Sequence, residues 1–121
     1  MRALLAAPLL ALLALQPALA ADPEAGAKIV KTQCGACHAV AAGKNLVGPS
    51  LHAIVGRHSG SVEGFRYSEA NKKANLTWDE KTLDTYLTSP KALVPGTTMT
   101  FAGLKSETQR ADVIAYLATL K

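Results

Sequence analysis

The sequence predicts an all-α protein built as one small domain. Residues that favour helix N-termini stand before runs whose apolar side chains recur at helical spacing, as Ser106 does before the last such run. No stretch of convincing length shows the alternation of apolar and polar residues that is typical of a strand. The 121 residues suit one compact domain. Two cysteines exclude a disulfide-dense scaffold, and 18% charged residues is too few for a disordered chain.

The first predicted helix begins after Asp22. This residue is a good N-cap, and Pro23 follows it in the first turn, where the fixed φ of proline fits. The helix carries Ile29 and Val30 toward the first cysteine. The stretch 40–64 is rich in glycine and serine, includes a Gly-Pro pair, and is predicted to be mostly loop.

Two further helices are predicted in the middle of the chain. Ser68, followed by Glu69, starts a short helix that runs through Lys73. Thr77 and Glu80 form a capping box, in which a hydroxyl and a carboxylate three residues apart satisfy backbone N–H groups at a helix start. The apolar side chains that follow on one helical face are Leu83, Tyr86 and Leu87.

The last helix follows an irregular segment. The pairs Ser89–Pro90 and Pro95–Gly96 end the preceding helix and leave the chain irregular up to Lys105. Ser106 and Gln109 then form a second capping box, which opens the final helix. The predicted buried stripe of this helix is Val113, Ile114, Leu117 and Leu120.

Residues 1–20 are predicted to be a cleaved signal peptide. Arg2 precedes a run that is almost entirely Ala and Leu and that ends in Ala18-Leu19-Ala20, a small-x-small cleavage signature. The alternative is an uncleaved membrane anchor, but the unbroken apolar stretch 9–15 is short for a membrane span. Residues 21–121 then form the domain, in an oxidising compartment.

Charge and aromatic content restrict the possible partners. The net charge is +4, but the lysines are scattered and no nucleic-acid-binding motif accompanies them. The positive balance therefore does not indicate DNA or RNA. Only 5% of the residues are aromatic, so the apolar core is modest, and either the domain is marginally stable or something else fills its centre.

The chemistry of the chain is concentrated in one pentapeptide, Cys34-Gly35-Ala36-Cys37-His38. It contains both cysteines, and C-x-x-C-H is the attachment signature of c-type haem. On a helical turn, two thiols at this spacing can each form a thioether with one haem vinyl group, while the next residue projects its imidazole at the iron. The motif predicts one covalent haem c, attached through Cys34 and Cys37, with His38 as the proximal iron ligand.

Three other interpretations of this motif stay open. A thioredoxin-type redox pair requires a preceding strand, and none is visible. Structural zinc requires four ligands, and the set Cys34, Cys37, His52 and His58 has a spacing wider than a zinc finger normally uses. A structural disulfide is the third, although so short a loop constrains little of the unfolded chain.

Met99 is the candidate for the distal iron ligand. Apart from Met1 it is the only methionine, and it ends the Pro/Gly-containing segment 95–99 between two predicted helices. Its alternative role is core packing, since methionine is a common gap-filler. His52 and His58 are the rival ligands, and both are expected to face solvent.

At this point the sequence resembles a class I cytochrome c of the soluble mitochondrial-type branch, which has exported bacterial relatives. The resemblance extends over residues 24–120 and implies a small all-α fold of four to five helices and loops wrapped around one haem, with crossing terminal helices. Gly26 matches the small residue that lets these helices approach, against the face that bears Tyr116. The matching motifs are Cys34-Gly35-Ala36-Cys37-His38, Gly48-Pro49-Ser50-Leu51-His52, Gly64-Phe65-Arg66-Tyr67, Asn75-Leu76-Thr77-Trp78, Tyr86-Leu87 and Pro95-Gly96-Thr97-Thr98-Met99-Thr100-Phe101-Ala102-Gly103.

The resemblance also implies roles for residues around the haem. Pro49 matches the residue whose carbonyl accepts a hydrogen bond from the proximal imidazole, and Tyr86 matches the phenol near the methionine sulfur. Arg57, Tyr67 and Trp78 match groups that hydrogen-bond or neutralise the haem propionates. The other implied haem-site residues are Asn71 in the internal polar network, Phe101 as the aromatic lid at the exposed haem edge, and Thr97.

The ligand set determines the predicted function. With both axial positions filled, the haem has no open site for a substrate, which favours one-electron transfer over catalysis. We expect a monomeric, soluble periplasmic electron carrier between respiratory or photosynthetic complexes, such as a cytochrome bc-type reductase, a terminal oxidase or a photosynthetic reaction centre. The alternatives are a dedicated electron acceptor of a periplasmic dehydrogenase, or a haem peroxidase if Met99 is displaced.

The resemblance further implies transient electrostatic docking. Class I cytochromes c commonly present a ring of lysines around the exposed haem edge, which steers them onto acidic partners. Here Gln33 and Thr98 replace lysines that are common in the mitochondrial branch, so the centre of the ring carries less charge. The lysines that flank the motif segments are Lys31, Lys44, Lys91 and Lys105. The alternative is that they form an ordinary solvated face.

Overall fold

A computed structural model of the chain describes residues 20–121, and within this range it confirms the all-α fold. The backbone there forms an isolated bridge between His58 and Thr77 but no strand. The predicted signal peptide lies outside the described residues, apart from Ala20. None of the described helices is both long and apolar enough to cross a membrane. The helices are α1 (Pro23–Ile29), which continues into a π-helical turn (Val30–Cys34), α2 (Glu69–Lys73), α3 (Glu80–Thr88), α4 (Pro90–Leu93) and α5 (Glu107–Leu117).

Side-chain caps start α1, α2 and α5 where the sequence predicts them. The Asp22 carboxylate accepts hydrogen bonds from two backbone N–H groups of the first turn of α1, at 2.9 and 3.3 Å. Ser68 Oγ accepts from the N–H of Asn71 at 3.1 Å, and Ser106 Oγ accepts from the N–H of Gln109 at 3.2 Å. Each bond satisfies a donor that the helix itself leaves unpaired.

The predicted start of α3 at Thr77 is wrong. Asp79 is the N-cap instead, and its Oδ1 accepts a hydrogen bond from the N–H of Thr82 at 2.7 Å. Thr77 lies in the bridge to His58, and the neighbouring N–H of Trp78 donates to the carbonyl of Arg57 at 2.8 Å. This pairing with a distant loop keeps the chain extended until Asp79.

The segment after α3 contains one turn of helix that the sequence analysis assigned to irregular chain. Pro90 occupies the first position of α4, where its missing N–H costs nothing, and its side chain is buried. From Val94 to Lys105 the chain is irregular, as predicted. This loop carries Met99.

The terminal helices cross at a glycine. Helix α1 packs mainly on α5, and Gly26 is buried at their contact. A Cβ atom at Gly26 would overlap the backbone carbonyl of Asp112 and lie 3.0 Å from Cβ of Tyr116. The N–H of Asp22 also donates to Oδ1 of Asp112 at 2.8 Å. Backbone contact of this closeness requires a residue without a side chain.

A π-helical turn connects α1 to the cysteine motif. The N–H of Gly35 donates to the carbonyl of Val30 at 2.9 Å, five residues earlier, and a turn of this kind is frequent at functional sites. The N–H groups of Cys37 and His38 then both donate to the carbonyl of Cys34, at 3.1 and 2.9 Å. These bonds close a tight turn that presents both thiols and the imidazole together.

The apolar core surrounds a cavity. The buried side chains Val30, Leu83, Leu87, Val113 and Leu117 belong to the core cluster and also line this cavity. Helices α3 and α5 and the π-helical turn therefore each turn an apolar face toward the same space. The modest aromatic content is consistent with this arrangement, since the centre of the domain is not filled by side chains.

Candidate functional site

The cavity has a volume of about 520 Å³ and gathers residues from the whole described chain. The cysteine motif and the Met99 loop, which are about 60 residues apart in the sequence, both line it. Of the residues that the sequence analysis assigned to the site, Thr97 alone is not on the cavity wall. Those that line it are Cys34, Cys37, His38, Pro49, Arg57, Tyr67, Asn71, Trp78, Tyr86, Met99 and Phe101.

The His38 imidazole is fixed by two neighbours in the loop that follows it. Its Nδ1 lies 2.7 Å from the carbonyl oxygen of Pro49, so this nitrogen carries the proton and donates. Nε2 is then left as the nitrogen able to bind a metal. A Cβ atom at Gly48 would lie 2.6 Å from His38 Nδ1 and 2.7 Å from Nε2, so the ring needs a glycine at this position.

The two cysteines do not have the properties of a redox pair. Both are free thiols and form no disulfide. Burial raises the pKa of the Cys34 thiol, and the nearby Cys37 adds a smaller effect in the same direction. Redox-active cysteines of the thioredoxin type have a lowered pKa, because the thiolate is the nucleophile. Residues 20–121 also lack the strand that such a motif follows.

The zinc interpretation fails on geometry. His52 and His58 lie outside the cavity that Cys34 and Cys37 line. His58 is exposed, as expected, whereas His52 is half-buried. No group of three or more His, Cys, Asp or Glu side chains in residues 20–121 lies close enough to hold a metal ion. The histidines are separated from the thiols by the fold.

Met99 is held by hydrogen bonds at both its sulfur and its backbone. The Tyr86 hydroxyl lies 3.1 Å from Met99 Sδ and donates to it. The N–H of Met99 donates to Oγ1 of Thr97 at 3.2 Å. Thr97 is predicted to contact the haem, and although it is not on the cavity wall, it contacts two residues that are, Met99 and Tyr86.

Tyr86 is a partly buried phenol that stays protonated at neutral pH. Burial raises its pKa, and a hydrogen bond with Thr97 opposes this only in part. Its ring packs against Trp78, with centroids 4.7 Å apart and planes inclined by 50°. The packing and the high pKa together keep a hydrogen-bond donor directed at the Met99 sulfur.

Arg57 carries an unsatisfied group at the cavity wall. Its Nη2 donates to the carbonyl of His52, whereas its buried Nη1 has no hydrogen-bond partner in the described chain. Burial lowers the pKa of Arg57, and the nearby Tyr67 acts in the opposite direction, but a guanidinium remains charged. A buried N–H donor without a partner is costly, and an anionic group such as a carboxylate would satisfy it.

Tyr67 and Asn71 line the cavity but are also engaged in local structure. The Tyr67 hydroxyl accepts a hydrogen bond from the N–H of Val62 at 3.0 Å, and its ring meets Phe65 edge-on at 4.8 Å. The backbone N–H of Asn71 is capped by Ser68, and the Asn71 side chain forms no hydrogen bond to Tyr86 within residues 20–121. The internal polar network here is the Tyr86–Met99–Thr97 set.

These residues fit a covalent haem. Two free thiols at attachment spacing, an imidazole with one nitrogen already engaged, a thioether and an unpaired guanidinium all line one cavity. The apolar part of the wall was not predicted as part of the site, because its only local signal in the sequence is proximity to the motifs. Its additional members include Val30, Val47, Leu51, Ile54, Leu83 and Val113.

Fold and site together define a small c-type haem protein. The family model described as Cytochrome c matches residues 23–121. The chain is 50% identical over 103 residues to cytochrome c2 of Rhodoblastus acidophilus, covering 84% of this chain and 95% of that protein. It is 46% identical over 100 residues to cytochrome c of Euglena viridis, covering 83% and 98%. It is 54% identical over 101 residues to cytochrome c2 of Rhodomicrobium vannielii, covering 83% and 80%. The chain belongs to the cytochrome c family.

Membership in this family confirms the coarse prediction of cofactor and activity. The protein binds covalently attached haem c, and it is an electron carrier rather than an enzyme. Membership in this family is consistent with the all-α fold seen in residues 20–121. The cofactor accounts for a cavity at the centre of so small a domain.

Proposed function

We propose that this protein is an exported one-electron carrier whose haem iron is bound by His38 and Met99. The observation that supports this most strongly is the shared cavity, in which both side chains are already oriented by hydrogen bonds. His38 Nδ1 is 2.7 Å from the Pro49 carbonyl oxygen, and Met99 Sδ is 3.1 Å from the Tyr86 hydroxyl. Two preset protein ligands leave no coordination position for a substrate.

The chain's own residues adjust the bound cofactor. When bound, haem supplies a centre that gains and loses one electron. The Pro49 carbonyl accepts the His38 Nδ1–H and so raises the basicity of Nε2. The Tyr86 O–H withdraws electron density from the Met99 sulfur, which favours the reduced state.

Cys34 and Cys37 are the proposed attachment points, and Arg57 is the proposed partner of a haem propionate. The thiols sit within one turn of His38, so attachment and ligation come from one rigid segment. The buried Nη1 of Arg57 has no hydrogen-bond partner in the described chain, and it would donate a hydrogen bond to a propionate oxygen. This pairing would give the buried Nη1 a hydrogen-bond partner.

The proposed compartment is the periplasm. Residues 1–20 direct export to it and are then removed. The sequence pattern of this segment supports export. Residues 20–24, which flank the proposed cleavage point, are exposed, so cleavage there leaves the folded domain undisturbed. The relatives named above include cytochromes c2 from bacteria as well as a eukaryotic cytochrome c.

Redox complexes with acidic docking faces are the proposed partners. Lys31, Lys44, Lys91 and Lys105 are all exposed, which electrostatic steering requires. Gln33 and Thr98 line the cavity and are exposed as well, so its mouth is uncharged at these positions. Exposed lysines together with an uncharged cavity wall at Gln33 and Thr98 suit transient contact with a bc-type reductase, an oxidase or a reaction centre.

Intact-mass measurement of the exported protein tests attachment and processing together. The full chain is expressed with a cytochrome c maturation system, and the purified product is extracted with acidified acetone. We expect a mass equal to residues 21–121 plus one haem, and loss of the haem in the double variant Cys34→Ala/Cys37→Ala. His58→Ala is the matched control, because His58 is exposed and outside the cavity. A colourless product with free thiols would contradict the attachment, and a product that retains residues 1–20 would contradict the processing.

A further inference from the structure

The loop that carries Met99 is anchored at both ends but has few hydrogen bonds in between. Val94 and Leu104 are 2% and 6% exposed and anchor the loop in the core. Between Thr97 and Leu104, no backbone N–H or carbonyl of the loop forms a backbone–backbone hydrogen bond within the described chain. Three side-chain contacts hold the middle of the loop. The N–H of Met99 donates to Thr97, the Met99 sulfur accepts from Tyr86, and the carbonyl of Ala102 accepts from Lys105.

Two cationic side chains bind the C-terminal end of this loop. Nζ of Lys105 donates to the carbonyl of Thr88 on α3 at 2.8 Å and to that of Ala102 at 3.4 Å. Nη1 of Arg110, on α5, donates to the carbonyl of Leu104 at 3.0 Å and to that of Lys105 at 3.1 Å. The N–H of Leu104 donates in turn to the carbonyl of Leu87 on α3 at 2.7 Å. The end of the loop is therefore fastened to both helices.

Asp84 orients this arginine from α3. Its Oδ1 lies 2.7 Å from Nε of Arg110, and the arginine side chain is only 11% exposed, compared with 47% for Asp84. Because Nε donates to a carboxylate and Nη1 donates to two carbonyls, the planar guanidinium is fixed in one orientation. The other ion pair in residues 20–121, Lys72–Glu69, joins exposed neighbours within α2 and contacts no loop carbonyl.

We propose that Arg110, oriented by Asp84, is a positioning residue that keeps the Met99 loop closed over the cavity and so limits displacement of Met99 by external ligands. This rests on the proposed function, because it takes Met99 as the axial ligand. An external ligand binds only the fraction of molecules in which the loop is open, so its apparent affinity reports the loop equilibrium. Weakening the fastening at Leu104 and Lys105 increases that fraction.

Imidazole binding to the ferric holoprotein tests the proposal. We expect Asp84→Asn to bind imidazole about three to ten times more tightly than wild type, since a partly exposed ion pair contributes modestly. Asp84→Glu restores the carboxylate and is expected to return the affinity toward the wild-type value. Glu69→Gln is the matched control, because it removes the carboxylate of the other ion pair and is expected to leave imidazole binding unchanged.

Hydrogen exchange in the same holoproteins distinguishes loop opening from general destabilisation. We expect Asp84→Asn to speed exchange of the Leu104 amide, which bonds to Leu87, more than exchange of the core amides of α5. Equal imidazole affinities in Asp84→Asn and Glu69→Gln, or uniform acceleration of all amides, would overturn the proposal. A wild-type ferric protein without Met–iron ligation would instead overturn the proposed function.

Discussion

At the scale of single residues, contacts within the protein orient the two proposed iron ligands, His38 and Met99. The Pro49 carbonyl selects the tautomer of His38, and Gly48 leaves room for the ring. Tyr86 presents its hydroxyl to the Met99 sulfur. Both proposed iron ligands thus have a second residue that determines their orientation and their electron density.

Replacing Tyr86 with phenylalanine tests this second contact. The change removes the hydroxyl that lies 3.1 Å from the Met99 sulfur but keeps the ring that packs on Trp78. A net hydrogen bond of about 1 kcal/mol corresponds to roughly 40 mV for one electron, so we expect the midpoint potential to fall by up to about 40 mV. Equilibrium redox titration measures this.

Tyr116→Phe is the control for that titration. Tyr116 lies on α5 outside the cavity, so loss of its hydroxyl is expected to leave the potential unchanged. An unchanged potential in Tyr86→Phe, or a shift of the same size in Tyr116→Phe, would show that the hydrogen bond to sulfur has no influence.

At the scale of helices, the sequence predicts those helix starts that are determined by hydrogen bonds within one turn. Asp22, Ser68 and Ser106 cap helices through N–H groups two or three residues away, so each start is encoded within one turn. The start of α3 was misplaced because the extended conformation at Trp78 depends on the distant carbonyl of Arg57. No local pattern contains that information.

The same distinction applies to the site. The cysteine motif and Met99 are identifiable from residue type and spacing, and the structure places them on one cavity. The position of Thr97 away from the cavity wall and the apolar wall of Ile54 and Leu83 depend on how the loops fold against the helices. These features arise from tertiary contacts, which a motif does not describe.

The N-cap of α3 gives a pH-dependent prediction. Hydrogen bonding from the N–H of Thr82 lowers the pKa of Asp79 below the ordinary value of about 3.9. The stabilisation is therefore fully present above that ordinary value and is lost as the pH falls through the lower folded-state pKa. We expect Asp79→Ala to be less stable than wild type at neutral pH, with the difference shrinking below about pH 4.

Urea unfolding as a function of pH measures this difference. Thr77→Ala is the control, because Thr77 was the predicted cap but lies in the extended bridge to His58. It is expected to change the free energy of unfolding less than Asp79→Ala does. A larger loss in Thr77→Ala, or a loss in Asp79→Ala that stays constant into acid, would contradict the assigned cap.

At the scale of the whole molecule, the domain is organised around the cavity. The buried apolar side chains of α3, α5 and the π-helical turn line a space of about 520 Å³, which haem accounts for in this family. Outside the cavity the charges are spread, with a net charge of +4 for the full chain. Val47, 78% exposed, adds an apolar side chain at the cavity wall.

This charge distribution predicts how docking depends on salt. We expect the bimolecular rate of electron transfer to an acidic redox partner to fall as ionic strength rises, because the Debye length shrinks from about 10 Å at 0.1 M to about 3 Å at 1 M. Thr98→Lys places a charge at the exposed cavity wall and is expected to steepen the dependence. Stopped-flow mixing at several ionic strengths measures the slope.

Thr119→Lys adds the same charge at an exposed position that does not line the cavity. We expect it to change the slope less than Thr98→Lys does. Rates that are independent of salt in all three proteins would show that docking depends on apolar contact, with Val47 and Phe101 as the residues to examine next.

The near-infrared absorption of the ferric protein tests the central claim most directly. Met–iron bonding produces a weak charge-transfer band there, and we expect wild type to show it and Met99→Ala to lose it. The variant is also expected to bind carbon monoxide when reduced and to gain peroxidase activity, since a coordination position opens. A wild-type protein that lacks the band, is high-spin and binds carbon monoxide readily would contradict ligation by Met99. It would also contradict electron transfer by a haem whose two axial positions are both filled by the protein.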